Sequence, residues 1–283
     1  MAKRENYNDL YLFMQVVREG SFTAAALALF LAACAHNPSD SIPLAAQGSF
    51  TVGGGYVTHP GTFKQENFIA PDGQRAYGDF AYVKYQAPTN AKPLPLIFQH
   101  GGAQSSRTWE STVDGREGFD TLFLRKGYSV YLLDQPRSGK SNLSTQAVTP
   151  DTPWASNPMY GDKTLWLLSR MGHYDGNGKP VANAQFPEGE AAYQAFQQAW
   201  TIGSGPLDND LNADVLAQLV GKTDGAILVT HSMGGTIGWR TPFRTDKVKA
   251  IIAFEPGGSP FIFPEGEVPE PVPTLYDPVK AQA

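Results

Sequence analysis

Ser232 stands in Thr230-His231-Ser232-Met233-Gly234-Gly235, directly after the apolar run Ala226 to Val229. A hydroxyl lifted on a tight turn between a strand and a helix is placed to attack an acyl carbon, and small residues must flank it because the turn is crowded. Two further groups share that chemistry. His100-Gly101-Gly102 closes the apolar run Leu94 to Gln99; glycine there lets the backbone approach a substrate and aim an N–H at a developing oxyanion. Glu255-Pro256-Gly257-Gly258 closes the run Val248 to Phe254, and a carboxylate there can orient an imidazole base. Simpler roles exist for both: Ser232 as a helix cap after a strand, and Glu255 as a loop acid beside a glycine turn. The base is the difficulty. His36, His59, His100, His173 and His231 all precede Ser232, and none follows it. No His and carboxylate spacing suits a metal ion, so neither a metal nor another cofactor is expected.

The elements that must position these groups are legible as alternating strand and helix patterns. Ser49 to Val52 and Gly78 to Tyr85 pattern as strands, with Pro71-Asp72-Gly73 as a turn between them. A short strand then leads into His100, a helix covers roughly Gly118 to Lys126, and a strand from Tyr128 runs into Asp134-Gln135-Pro136-Arg137-Ser138-Gly139-Lys140-Ser141. Strands alternating with helices at this spacing predict a mostly parallel sheet flanked by helices. An insertion over about 144–210 carries Trp154, Trp166, Phe186, Tyr193, Phe196 and Trp200, with its best helix from Glu190 to Trp200. The chain's net charge of −5 argues against a nucleic-acid partner, and no stretch reaches the roughly 20 apolar residues of a membrane-spanning helix.

His-Gly-Gly, the Asp134 to Ser141 loop and the Ser232 elbow, in that order, make the chain similar to the α/β-hydrolase superfamily. The spacing of Glu255 resembles secreted bacterial serine esterases with Ser–Glu–His triads. Thr230 departs from that pattern, since glycine is usual two residues before the nucleophile. The resemblance implies the α/β-hydrolase fold with a cap insertion, catalytic Ser232 and Glu255, oxyanion donors at the Gly102 and Met233 backbone N–H groups, and substrate contacts at His100, Gly101 and Trp166. It implies a carboxylic-ester hydrolase acting on a small-molecule ester by serine acyl transfer. In that family the triad histidine follows the acid in chain order. Activity is therefore expected to be impaired, with the last strands, helices and histidine loop, roughly sixty to eighty residues, lacking after the Pro- and Glu-rich stretch 261–273. The alternative is a non-catalytic relic of the fold that binds a small apolar ligand. Dehalogenases and epoxide hydrolases fit less well, because those relatives carry Asp at the position of Ser232.

Two readings concern the start of the chain. Arg4 to Ala26 resembles the opening of LysR-type transcriptional regulators, but the match ends before any recognition helix, which a helix-turn-helix needs to read the major groove. Residues 1–26 are thus read as a regulator-like helix fragment. The following apolar run ends in Leu31-Ala32-Ala33-Cys34; its length suits a signal-peptide core, and it resembles the bacterial lipobox. Residues 27–34 are read as that core, with Cys34 as the lipidation site and lipid anchor. Residues 35–47 form a linker and 48–283 the hydrolase domain. A working signal would give a periplasmic or outer-membrane lipoprotein, and otherwise the chain would be cytoplasmic.

Overall fold

The computed structural model describes residues 41–141, 143–146, 161–169, 171, 186, 189–201 and 203–258. The regulator-like segment 1–26, the apolar run with Cys34, Trp154 and His173 lie outside these residues.

The described strands are β1 (Leu44–Thr58), β2 (Arg75–Pro88), β3 (Leu96–Gln99), β4 (Val130–Asp134), β5 (Ala226–His231) and β6 (Val248–Phe254). They form one sheet in the order β1-β2-β4-β3-β5-β6. β1 pairs antiparallel with β2 and β2 with β4, while β4, β3, β5 and β6 run parallel. The mostly parallel sheet expected from the sequence is therefore present, with an antiparallel hairpin at one side. That hairpin is longer than its apolar patterning indicated. β1 begins at Leu44, which pairs with Pro88, inside the segment read as the 35–47 linker. Ala46 and Gln47 have little strand propensity of their own; the ladder to β2 recruits them, with an irregularity in register between Leu44 and Ala46.

Among the described residues, five α-helices accompany the sheet: α1 (Phe119–Arg125), α2 (Asp162–Leu168), α3 (Glu190–Gln197), α4 (Asn209–Lys222) and α5 (Met233–Arg240). α1 stops where Gly127, at φ 81°, lets Gly127 N–H reach Leu124 O and Tyr128 N–H reach Phe123 O, a Schellman closure. α4 starts at Asp208, whose carboxylate accepts from the N–H groups of Asp210 and Leu211, satisfying donors that a helix start leaves open.

All four residues of β3 are buried, as befits a central parallel strand covered on both faces. Ile97 packs with Leu133, Leu228, Val83 and the Leu216 and Leu219 side of α4. Leu96 and Phe98 point the other way, to Trp109, Leu124, Leu132 and Val229. The outcome is a helix–sheet–helix sandwich in which the carboxyl ends of β3, β4, β5 and β6 open on one edge. Catalytic loops collect at such an edge because strand ends leave it free of ladder bonds.

Candidate active site

β5 ends at His231 and α5 begins at Met233, so Ser232 alone makes the turn, with φ 50° and ψ −123°. Its backbone is held on both sides: Ser232 N–H donates to Phe254 O at 3.1 Å, and Ser232 O accepts from the N–H groups of Gly235 and Gly257. A left-handed φ at a residue with a side chain costs about 1–3 kcal/mol and persists only where its surroundings impose it. Six non-glycine residues among those described have positive φ, and Ala103, Arg137, Ser232 and Glu255 all line one cavity. Four of these six strained positions thus gather at one place.

The neighbours of Ser232 explain the elbow sequence. A Cβ on Gly234 would lie 2.7 Å from His100 O and 2.9 Å from Gln99 O, so the second residue after Ser232 must be glycine. Thr230, the departure from the family pattern, is fully buried. It fits because Gly238, two turns into α5, offers no Cβ; one there would stand 2.7 Å from Thr230 Cγ2.

The turn after β3 faces the elbow. A Cβ on Gly101 would be 3.0 Å from Ser232 Cβ, and one on Gly102 would be 3.4 Å from Met233 Sδ. His100 is wholly buried and its Nδ1 lies 2.8 Å from Gly101 O. Burial pushes the His100 pKa below its usual value, against the opposing pull of that bond and of Asp134. The neutral ring donates its Nδ1–H to Gly101 O and accepts from Gln135 N–H at Nε2, 3.4 Å away. A trans peptide points C=O and N–H in opposite directions; with Gly101 O held toward the core, the Gly102 N–H of the same peptide faces away from it. His100 therefore sets the loop's geometry, and neither it nor Gly101 is among the cavity-lining residues.

The cavity, about 1430 Å³, has Ser232, Met233, Gly102 and Glu255 in its wall. Glu255 directly follows β6 at φ 41° and is exposed at the rim. His231, also in the wall, is half-buried; burial lowers its pKa while the negative charge of Glu255 opposes the shift. His231 packs edge-on to Trp109 and reaches Gln104. The elbow's backbone turns just after His231, which brings its ring to the cavity.

Leu165 and Leu168 of α2, Phe196 of α3, and Trp200 close the cavity from the cap. Trp166 does not join them. Fully buried, it packs against Met171 and Tyr193, because the apolar stripe of α2 splits, Trp166 turning into the cap's own core. The substrate contact expected of Trp166 is thus corrected: it lies outside the cavity wall, where Phe196 and Trp200 stand instead. Gln104 and Arg137, two polar wall residues, were not singled out from sequence; no spacing rule distinguishes a glutamine three residues past a glycine turn.

A sequence profile of the alpha/beta hydrolase family matches residues 96–282. The chain belongs to the alpha/beta hydrolase family. It is similar to a probable secreted lipase, phiG, of a fungal species (strain ATCC 74256), with 33% identity over 191 residues, which cover 64% of this chain and 50% of that protein. The chain thus spans about half the length of this curated relative. Among solved structures it resembles a novel bacterial esterase, with 31% identity and a TM-score of 0.62, over 78% of this chain and 71% of that one. These similarities support a hydrolase by family, with esterase and lipase relatives.

Proposed function

We propose that the chain is a carboxylic-ester hydrolase working by serine acyl transfer. The observation that carries this reading is Ser232 held at positive φ in the wall of a cap-covered cavity, opposite the Gly102 turn. Ser232 Oγ attacks the ester carbonyl, and the N–H groups of Gly102 and Met233 receive the oxyanion. The alcohol leaves, and water then hydrolyses the acyl-enzyme. Glu255 is the carboxylate that would orient a base, as in a Ser–Glu–His triad. Without an oriented base, an oxyanion hole and binding alone leave a residual rate above water, and slow turnover is what this reading expects. The apolar Leu165, Leu168, Phe196 and Trp200 wall suits an apolar acyl or aryl group.

The test is p-nitrophenyl acetate and butyrate hydrolysis by the full chain beside Ser232→Ala, with phosphonate labelling of the active serine. Slow turnover and labelling that both vanish in the variant support the reading; turnover unaffected by the substitution overturns it. A non-catalytic, ligand-binding role is the second reading, favoured by His231 being the one histidine among the described cavity-lining residues. It predicts no labelling at all. Export with lipidation at Cys34 is supported by the apolar run before that residue and by the secreted lipase relative. Radiolabelled palmitate incorporation lost in Cys34→Ser tests it.

A further inference from the structure

Gln104 Oε1 accepts from Gly101 N–H at 3.1 Å and lies 3.0 Å from His231 Nδ1. A backbone N–H can only donate, so the atom facing it is the amide oxygen; this settles which way the Gln104 amide is turned. An oxygen facing Nδ1 requires that nitrogen to hold the proton. His231 is then the Nδ1–H tautomer, and its Nε2 is the unprotonated nitrogen.

The same contact joins two loops. Gly101 belongs to the turn after β3, and His231 is the last residue of β5. The place a Gly101 Cβ would occupy is 2.8 Å from Gln104 Oε1 and 3.0 Å from both His231 Nδ1 and Ser232 Cβ. The peptide groups around Gly101 are therefore gripped from two directions: its N–H by Gln104 and its oxygen by His100. Gln104 is half-buried in the cavity wall, beside the chemistry and not behind it.

We propose that Gln104 is a positioning residue of this site: its one oxygen fixes the His231 tautomer and pins the Gly101–Gly102 turn to the nucleophile elbow. The catalytic part of this role rests on the esterase reading above. With the brace removed, Gly102 N–H and Ser232 lose their fixed separation, which weakens attack more than substrate binding. A carboxylate at the same position accepts both hydrogen bonds and preserves the brace.

The decisive experiment is long-range nitrogen–proton NMR of the histidine rings in the full chain, with the His231 signals assigned by their loss in His231→Asn. The wild-type protein is expected to show His231 with its proton on Nδ1, and Gln104→Leu a mixture of tautomers. Gln104→Glu is expected to keep the Nδ1 proton. In parallel, Gln104→Leu lowers kcat for p-nitrophenyl butyrate by roughly ten- to hundredfold with KM little changed, and Gln104→Glu restores most of it. A wild-type His231 with its proton on Nε2, or a tautomer unmoved in a folded Gln104→Leu, overturns the proposal. Should Gln104→Leu fail to fold, the wild-type tautomer and Gln104→Glu still decide. Absence of Ser232-dependent turnover strikes the esterase reading alone and leaves the NMR result standing.

Discussion

Arg137 donates two parallel hydrogen bonds to Asp79, from Nε to Oδ1 and from Nη2 to Oδ2, each 2.8 Å, and both residues have positive φ. Around this buried pair the two stems of the cap insertion meet. Asp79 accepts from Thr145 N–H at 3.2 Å and donates its own N–H to Leu143 O. Arg137 donates Nη1–H to Pro206 O at 2.8 Å and accepts Ser204 N–H at its carbonyl. The ion pair thus ties β2, the loop after β4 and both cap stems in one place.

Breaking that pair leaves an unmatched buried charge. Asp79→Asn and Arg137→Met are each expected to lose roughly 3–5 kcal/mol of stability, read as a lower urea midpoint. Arg137→Lys recovers only part, because a lysine cannot make the forked contact. Burial works to raise the Asp79 pKa, but hydrogen bonds from Arg137 and Thr145 and the guanidinium charge hold it below the usual 3.8. A carboxyl depressed on folding stabilises fully above its unfolded pKa. This contribution is therefore present above pH 3.8 and is lost as pH falls through the lower folded value. Acid unfolding of Asp79→Asn should show a correspondingly shallower slope.

Ser232 holds its left-handed backbone at a cost in stability. Ser232→Gly is expected to abolish phosphonate labelling while gaining about 1 kcal/mol, strain relief outweighing the added chain entropy of glycine. Calorimetry of the two proteins would show a higher Tm for the inactive one.

Thr230 and Gly238 form a compensating pair. Gly238→Ala alone places a methyl against Thr230 Cγ2 and should cost about 1–3 kcal/mol. Adding Thr230→Ala removes the clash together with a buried hydroxyl that has no hydrogen-bond partner among the described residues. The double variant is predicted to be more stable than the sum of the single effects, in a double-mutant cycle by urea unfolding.

Neutral His100 makes stability pH-dependent near neutrality. Burial, the largest influence, lowers its pKa from 6.5, so an unfolded chain binds a proton that the folded one refuses. The stabilisation is present above pH 6.5 and declines as pH falls from there toward the folded value. In His100→Gln this part of the slope should flatten, with denaturant midpoints measured across the range as the check.

Trp200 lies in the cavity wall and stacks edge-on with Phe196. Truncating it to alanine removes apolar contact worth up to about 3 kcal/mol. KM is expected to rise more for p-nitrophenyl butyrate than for the acetate, with kcat less affected.

Legibility followed the range of the interactions involved. The elbow and the His-Gly-Gly turn could be read from sequence because both follow local patterns: small residues crowded around a strand-to-helix turn, and a strand running straight into a glycine turn. Period-two and continuous apolar runs likewise located β3 to β6, since sheet faces impose those patterns locally. Trp166 misled for the opposite reason. Aromatic identity marks burial, but whether the ring meets a cavity or the cap's own core depends on how α2 and α3 pack together.

The sequence by itself determined the alpha/beta hydrolase family, the serine at the elbow and the order of the motifs, because chain-local sterics dictate them. Tertiary structure alone decided which polar groups meet. Gln104 reaches His231 across 127 positions, and Arg137 reaches Asp79 across 58. Such contacts leave no periodic trace, since hydrogen-bond geometry is fixed only once distant strand ends are brought to one edge of the sheet.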